Sequence, residues 1–197
     1  MKKTALIMAA GTGGHIYPGL AIAGELSQRG WAIVWLGTPT GMEHKLVGKA
    51  GYQVEVINMT GVRSKGIGAW LLLPFLLLRA FWQSLRVMQR VKPDVVVSMG
   101  GYVAFPGGMV AVLCGKPLVV HEPGAHAGLT NRVLALIADR VLVGFPKTFE
   151  QIPNNAIAKL LPKPKKSNGW VRRCVPTSPH LRHRRQDSPI TVARFGC

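Results

Sequence analysis

Two short glycine-rich segments are the parts of this sequence best suited to chemistry. The first is Gly11-Thr12-Gly13-Gly14-His15 and the second is Ser98-Met99-Gly100-Gly101-Tyr102, and each lies between an apolar run and a helical pattern. Glycine lets a backbone turn tightly and approach a ligand, and the free N–H groups at a helix start attract an anion. Each segment predicts phosphate binding, although a tight turn without a ligand would use the same residues. At neighbouring strand ends the two together would suit a diphosphate.

Two histidines are candidates for catalysis. His15 lies inside the first glycine-rich segment, where a substrate hydroxyl could reach it, and an imidazole that is neutral near physiological pH can act as a general base. His121 precedes Glu122 at the end of an apolar run, but neighbouring strand residues point to opposite faces, so we expect no direct pair and a structural histidine explains the pattern equally well. The six histidines show no metal-ligand spacing, which predicts no metal.

The first segment does not match the dinucleotide-binding fingerprint. A G-x-G-x-x-G motif that starts at Gly11 would need glycine where Ile16 stands. The next apolar run ends in Leu36-Gly37-Thr38, without the acidic residue that would hold a ribose of NAD. The sequence therefore disfavours a nicotinamide enzyme, and we expect no cofactor.

Apolar runs that alternate with helical patterns must position these segments. Near-continuous Val, Ile and Leu runs between helices are typical of a parallel sheet that is covered on both faces, and such sheets bind ligands beyond the carboxyl ends of their strands. The pattern predicts an α/β fold with a Rossmann-like, doubly wound parallel sheet. The predicted strands are Thr4–Ala9, Trp31–Leu36, Tyr52–Ile57, Asp94–Ser98, Leu118–His121 and Val141–Val143, and the predicted helices are Pro18–Arg29, Met42–Ala50, Trp70–Val91, Phe105–Leu113 and Leu129–Ala138.

The helix predicted from Trp70 to Val91 allows two interpretations. One is a core helix with a solvated basic face, because one face carries Leu78, Phe81, Trp82, Leu85 and Met88 and another carries Arg79, Gln83, Arg86 and Arg90. The other is a lipid-facing interfacial segment, because the part up to Leu78 is apolar all round and basic residues flank it. The residues alone leave both interpretations open.

Composition and charge limit the class of protein. A chain of 197 residues with 48 % apolar and 17 % charged residues can build a packed core, which excludes disorder for most of its length. The net charge of +17 is unevenly distributed: residues 1–150 hold 15 Lys and Arg against 7 Asp and Glu, whereas residues 151–197 hold 10 against 1.

The three cysteines show no disulfide or metal spacing, which indicates a reducing compartment. No segment has the length or pattern of a signal peptide or membrane span, so we expect a cytoplasmic protein.

Three segments resemble a known family. The stretches GTGGHIYPGLAIAGEL, SMGGYVAFPG and HEPGAHAGLTN closely resemble the amino-terminal half of the MurG glycosyltransferases, over roughly residues 3–166. The resemblance implies the amino-terminal domain of a GT-B glycosyltransferase. It also implies transfer of N-acetylglucosamine from UDP-GlcNAc to undecaprenyl-diphosphate-linked muramyl pentapeptide, which converts lipid I to lipid II in peptidoglycan synthesis. The expected location is peripheral, on the cytoplasmic side of the inner membrane.

The resemblance also assigns roles to single residues. His15 and Tyr102 match family positions tied to activity, and the glycine loops, including Gly100 and Gly101, would hold the acceptor diphosphate. It further implies donor or acceptor contacts for Thr12, Gly13, Gly14, Gly124 and Asn131, and membrane contacts for Trp70, Leu73, Phe75, Leu78, Arg79 and Trp82.

The sequence departs from the family pattern in two places. Pro123 and Gly124 stand where the family usually has Gln-Asn, which puts one donor contact in doubt. Beyond residue 166 the family linker and donor domain do not follow, and the pattern predicts a domain over 1–150, a linker over 151–166 and an irregular basic tail over 167–197. A shifted reading frame would explain the tail. We therefore expect little transfer activity from this chain alone. The alternative is a non-catalytic fragment that binds polyprenyl diphosphate or anionic membrane. Nucleic-acid binding by the tail is disfavoured, because the tail lacks interleaved aromatic residues.

Overall fold

The computed structural model describes residues 2–59, 67–145 and 148–149, with only the backbone described over 67–72. The predicted linker and tail, 151–197, lie outside the described residues. Strands and helices alternate along the described part of the chain, in the order β1 Thr4–Ala9, α1 Gly13–Gln28, β2 Ala32–Gly37, α2 Met42–Lys49, β3 Gln53–Val56, α3 Ile67–Val91, β4 Val95–Gly100, α4 Ala104–Leu113, β5 Leu118–Glu122, α5 Leu129–Leu134 and β6 Arg140–Val143.

The six strands form one parallel sheet in the order β3-β2-β1-β4-β5-β6. The chain runs outward from β1 to β3, returns through α3, and then runs outward on the other side from β4. The strand order reverses between β1 and β4, which is the point where doubly wound sheets bind ligands. The fold is therefore the α/β Rossmann-like sheet that the alternating pattern predicts.

Two buried clusters cover the two faces of the sheet. One joins side chains of α3, α4 and α5 to the sheet, for example Met88, Ala111 and Leu134. The other joins α1 and α2 to the opposite face, for example through Ile16 and Val47. Helices on both faces explain why the strands carry near-continuous apolar runs.

Trp35 of β2 holds α1 close to the sheet. Its indole is fully buried and donates a hydrogen bond of 3.0 Å to the carbonyl oxygen of Ala9, at the end of β1. A Cβ atom at Gly19 of α1 would lie 2.6 Å from the Trp35 ring, so only glycine allows the helix to pass this close. The amino-terminal end of α1 is thereby fixed beside the carboxyl end of β1.

The predicted start of α1 is wrong. The helix begins at Gly13 rather than near Pro18, and Pro18 lies inside it. Proline is common at the first helical position, which made Pro18 look like a start, but here the helix gives up one backbone hydrogen bond and continues through it. As a result Gly13 and Gly14 occupy the first helical turn, where backbone N–H groups lack acceptors within the helix.

Candidate functional site

The two glycine-rich segments lie against each other at the switch point. β1 and β4 are neighbours, and Ala9 pairs with Gly100 after a shift of register between Met8 and Ala9, so the loops that follow the two strands leave the sheet side by side. A Cβ atom at Gly101 would lie 2.4 Å from the carbonyl oxygen of Ala10, and one at Gly11 would lie 3.6 Å from the Tyr102 ring. The expectation that the two segments meet at neighbouring strand ends is confirmed.

Left-handed backbone at both strand ends explains the need for glycine. The φ angle is +100° at Gly11, +105° at Gly100 and +84° at Gly101. Residues with a side chain rarely adopt such angles, and strain of this kind costs about 1–3 kcal/mol per residue. The two turns therefore form only with glycine at low cost, and they direct the chain from each strand toward the next helix.

His15 contacts both turns. It sits in the first turn of α1, where its ring Nδ1 lies 3.2 Å from the hydroxyl oxygen of Thr12. The opposite edge of the ring faces Gly100, because a Cβ atom there would lie 3.0 Å from His15 Nε2. The imidazole thus lies between the β1–α1 loop and the β4–α4 loop, half-buried. This is the position that a base acting on a ligand of both loops would need.

Tyr102 follows the second turn and is half-buried. Its ring packs against the core cluster of α3, α4 and α5, and it lies next to Gly11 of the other loop. His15 and Tyr102 were predicted as functional residues, and the structure brings both to the junction of the two loops. Their catalytic roles remain predictions.

A network of buried polar side chains supports the second turn from below. The carboxylate of Glu122 accepts hydrogen bonds from the backbone N–H of Gly124 at 3.0 Å, from that of Gly128 at 3.1 Å and from the Asn131 side chain at 3.0 Å. The hydroxyl of Ser98 donates to the amide oxygen of Asn131 at 3.1 Å. The network ties β4, β5 and α5 together. Its three side chains are at most 3 % exposed, so each would be costly to bury without these partners.

Asn131 and Gly124 have structural contacts that the sequence did not reveal. The Asn131 amide also donates to the carbonyl oxygen of His121, and its nitrogen lies 3.1 Å from where a Cβ atom of Gly100 would stand. The carbonyl oxygen of Gly124 accepts from the hydroxyl of Thr148 at 3.2 Å. Substrate binding by Asn131 and Gly124 therefore stays a prediction, while their polar groups are engaged inside the protein.

His121 is buried, with 5 % of the residue exposed. Its ring Nδ1 finds no hydrogen-bond partner within the described part of the chain. Burial lowers the pKa of His121 below its ordinary value of 6.5, and the negative charge of Glu122 opposes this shift. The Glu122 oxygens bind backbone and Asn131 donors, which agrees with the expectation that the two neighbours do not pair.

A buried carboxylate at the same edge of the sheet was not predicted from the sequence. Glu43, in the first turn of α2, is fully buried and accepts from the backbone N–H and the hydroxyl of Thr38 at 2.9 and 2.7 Å. A Cβ atom at Gly41 would lie 2.2 Å from this carboxylate. The signal in the sequence that could have revealed this carboxylate is an acidic residue at a helix start, two positions after a glycine. Among the described residues, no group of three His, Cys, Asp or Glu could hold a metal ion.

Helix α3 carries an exposed apolar stripe beside basic residues. Phe75, Leu78 and Trp82 are 72 %, 70 % and 54 % exposed, at positions that share one side of the helix. Arg79 is exposed beside them, and the guanidinium of Arg86 lies 3.5 Å from the centre of the Trp82 ring.

The predicted apolar face of α3 is therefore divided. Met88 is buried in the core, whereas Leu78 and Trp82 point away from it, so the helix has both a core side and a separate apolar stripe. Leu73 is half-buried, and the side chain of Trp70 lies outside the described residues. None of the helices in the described ranges is long and apolar enough to cross a bilayer.

The amino-acid sequence of this chain is similar to those of known glycosyltransferases. Residues 5–143 match the model of the glycosyltransferase family 28 N-terminal domain. Two relatives are named UDP-N-acetylglucosamine--N-acetylmuramyl-(pentapeptide) pyrophosphoryl-undecaprenol N-acetylglucosamine transferase. The one from Paracidovorax citrulli is 62 % identical over 73 % of this chain and 41 % of its own length, and the one from Ralstonia nicotianae is 48 % identical over 100 % and 51 %.

A solved structure supports the same relationship. The crystal structure of MurG from Acinetobacter baumannii superposes with a TM-score of 0.67 at 45 % identity, and the match covers 75 % of this chain and 42 % of that one. The chain thus spans about half the length of the relatives that it matches.

Proposed function

The chain belongs to glycosyltransferase family 28, and from that premise we propose that it forms the acceptor-binding half of a hexosyltransferase. The enzyme would transfer N-acetylglucosamine from UDP-GlcNAc to undecaprenyl-diphosphate-linked muramyl pentapeptide, as the names of the relatives describe for those proteins. The observation that carries the proposal is the contact between the two glycine turns, with His15 between them.

The turns supply the chemistry that a diphosphate needs. Gly13 and Gly14 lie in the first turn of α1, where free backbone N–H groups and the positive end of the helix dipole favour an anion. The second turn, at Gly100 and Gly101, approaches the same place from the neighbouring strand. A lipid-linked diphosphate held here would bring its sugar to the carboxyl edge of the sheet, beside His15.

The proposed reaction is an inverting transfer that uses His15 as the base. Nε2 takes the proton from the muramyl hydroxyl while that oxygen forms a bond to the anomeric carbon of the donor sugar. The bond from that carbon to the diphosphate oxygen breaks, and UDP leaves with the electron pair. The residues of this chain hold the acceptor and accept the proton. The two substrates, the sugar nucleotide and the lipid-linked acceptor, supply all the other groups that react.

We further propose peripheral attachment to the cytoplasmic side of the inner membrane, through the α3 stripe. Apolar side chains beside arginines fit the boundary of an anionic lipid surface, where rings enter the headgroup region and guanidinium groups meet phosphates. The exposure of Phe75, Leu78 and Trp82 supports this placement, because a helix that only covered a core would bury them.

The acceptor site is tested by changing glycines in one helix. A Cβ atom at Gly14 would lie 3.7 Å from the Thr12 hydroxyl, an ordinary contact, so Gly14→Ala folds but narrows the approach to the helix start. Gly24, in the same helix, has nothing within 4 Å of its Cβ position and provides the matched control. Binding of a short-chain polyprenyl diphosphate in detergent micelles is measured by calorimetry, with the monophosphate as competitor.

We expect Gly14→Ala to bind at least about tenfold more weakly, a loss of about 1.4 kcal/mol, and Gly24→Ala to bind as the parent chain does. Equal affinity in all three would contradict a diphosphate site at the α1 start. Transfer is then measured with radiolabelled UDP-GlcNAc and the lipid-linked acceptor. Because we expect little transfer from this chain alone, diphosphate binding without transfer agrees both with an acceptor-binding half and with a non-catalytic fragment, whereas robust transfer would contradict that expectation.

A further inference from the structure

Thr12 occupies the N-cap position of α1 but does not cap the helix with its side chain. An N-cap threonine usually accepts a hydrogen bond from a backbone N–H in the first turn. Here no such bond forms: the His15 N–H donates instead to the backbone carbonyl oxygen of Thr12, at 3.1 Å. The hydroxyl oxygen faces His15 Nδ1 at 3.2 Å. The side chain is thus committed to the imidazole rather than to the helix.

The two nitrogens of His15 have different surroundings. Nδ1 faces the hydroxyl of Thr12, within its own loop. Nε2 faces the Gly100 turn of the neighbouring loop, where the absence of a Cβ atom leaves it room. A neutral imidazole carries its hydrogen on only one nitrogen, and a hydroxyl can donate to Nδ1 or accept from Nδ1–H, so the direction of the hydrogen bond at Nδ1 decides what Nε2 can do.

We propose that Thr12 is a positioning residue that sets the tautomer of His15. Its hydroxyl oxygen accepts a hydrogen bond from Nδ1–H, which leaves the lone pair of Nε2 directed at the gap between the two glycine turns. The direction of this hydrogen bond rests on the proposed function: the Thr12 hydroxyl could equally donate to Nδ1, but a base at Nε2 requires the hydrogen on Nδ1.

This arrangement serves both protonation states of the base. When Nε2 takes a proton from an acceptor hydroxyl, the ring becomes an imidazolium with hydrogen on both nitrogens. The Nδ1–H bond to Thr12 persists through that step and strengthens, because a charged donor forms a stronger hydrogen bond. The ring therefore need not rotate or exchange its partner during proton transfer.

The tautomer is tested by NMR on the ¹⁵N-labelled chain, from long-range ¹H–¹⁵N correlations of the His15 ring at a pH where it is neutral. The variants are Thr12→Val, which keeps the shape and removes the hydroxyl, and Thr12→Ser, which keeps the hydroxyl. Thr40→Val, at an exposed threonine between β2 and α2, is the control. A His15→Gln sample assigns the signals.

We expect hydrogen on Nδ1 in the parent chain, in Thr12→Ser and in Thr40→Val, and a shift toward hydrogen on Nε2 in Thr12→Val. Because the hydroxyl does not cap α1, Thr12→Val should move the thermal midpoint by less than about 2 °C. Hydrogen on Nε2 in the parent chain, or the same tautomer in Thr12→Val, would overturn the proposal. So would a large fall in the midpoint without a tautomer change, which would make Thr12 a helix cap. A confirmed tautomer in a chain that fails to bind polyprenyl diphosphate would refute the proposed function and leave the positioning role standing.

Discussion

Replacement of Glu122 by glutamine tests whether the buried network holds the second glycine turn. Three donors converge on its two carboxylate oxygens: Gly124 N–H on Oε1, and Gly128 N–H together with the Asn131 amide on Oε2. Glutamine has the same shape but only one acceptor oxygen, and its NH₂ group can only donate. Whichever way the new amide turns, a donor must face a donor.

The cost follows from counting the bonds. With its nitrogen in the place of Oε1, Glu122→Gln keeps two of the three bonds and loses the one from Gly124; the reverse orientation loses two. A hydrogen bond to a charged group contributes about 1.5–3 kcal/mol, and a buried donor left unpaired costs a similar amount. The remaining two bonds also weaken when the charge is removed. We therefore expect the free energy of unfolding to fall by about 2–4 kcal/mol.

Urea unfolding at pH 7, followed by tryptophan fluorescence, measures this change. Glu25→Gln is the matched control, because Glu25 is 57 % exposed and pairs with Arg29 one helical turn away. Exposed pairs of this kind contribute about 0.3–0.5 kcal/mol, so the control should lose no more than that. A loss below about 0.5 kcal/mol in Glu122→Gln, or equal losses in both variants, would refute the reasoning that the carboxylate is required by its three donors.

Three further predictions concern the turn, the helix stripe and the buried histidine. Gly101→Ala should unfold several degrees lower in a thermal melt, because φ is +84° and its Cβ would lie 2.4 Å from the Ala10 oxygen; an unchanged midpoint would contradict this geometry. Leu78→Ala should co-sediment more than about tenfold less with anionic liposomes, whereas Leu113→Ala, at a leucine that is 79 % exposed on α4, should bind like the parent chain; equal effects would argue against a specific stripe. Because burial lowers the pKa of His121 from 6.5, the unfolded chain binds the proton first, and stability should fall as the pH drops below about 6.5, by at most about 1.4 kcal/mol per pH unit. Urea midpoints at pH 7.5 and 5.5 should show a smaller fall in His121→Gln than in the parent chain, and identical falls would count against the shift.

The strands could be predicted because their signal is local. β1 has the predicted bounds, Thr4–Ala9, since an apolar run between a lysine pair and a glycine turn leaves little choice. The ends of the helices were harder to predict from the sequence. α5 was predicted to reach Ala138 but ends at Leu134, where the N–H groups of Leu136 and Ile137 turn to carbonyl oxygens three residues back. These three-residue hydrogen bonds make the last turn tighter than an α-helix. The tighter turn depends on how the segment packs next to β6, and the spacing of apolar residues in the sequence does not indicate it.

The candidate site could be predicted only in part, for the same reason. His15 and Tyr102 lie inside segments whose glycines mark a turn, so their neighbourhood was visible in the sequence. The contact of Glu122 with Asn131 was not, because it requires α5 to be placed over the end of β5. The N-cap position of Thr12 could not be predicted, because the predicted start of α1 near Pro18 left Thr12 in the middle of the loop.

The packing of α3 relates the apolar stripe to the second turn. Phe81 of α3 meets Phe105 of α4 edge to face, with ring centres 5.9 Å apart, and α4 begins directly after the turn that ends at Tyr102. On the same helix, Leu78 and Trp82 lie on the outer side, one turn or less from Phe81. Aromatic contacts of this kind are directional, and buried cores deform little. A surface that rests on the α3 stripe would therefore stand at a fixed distance and angle from the Gly100 turn, which is what a site for a diphosphate anchored in lipid requires.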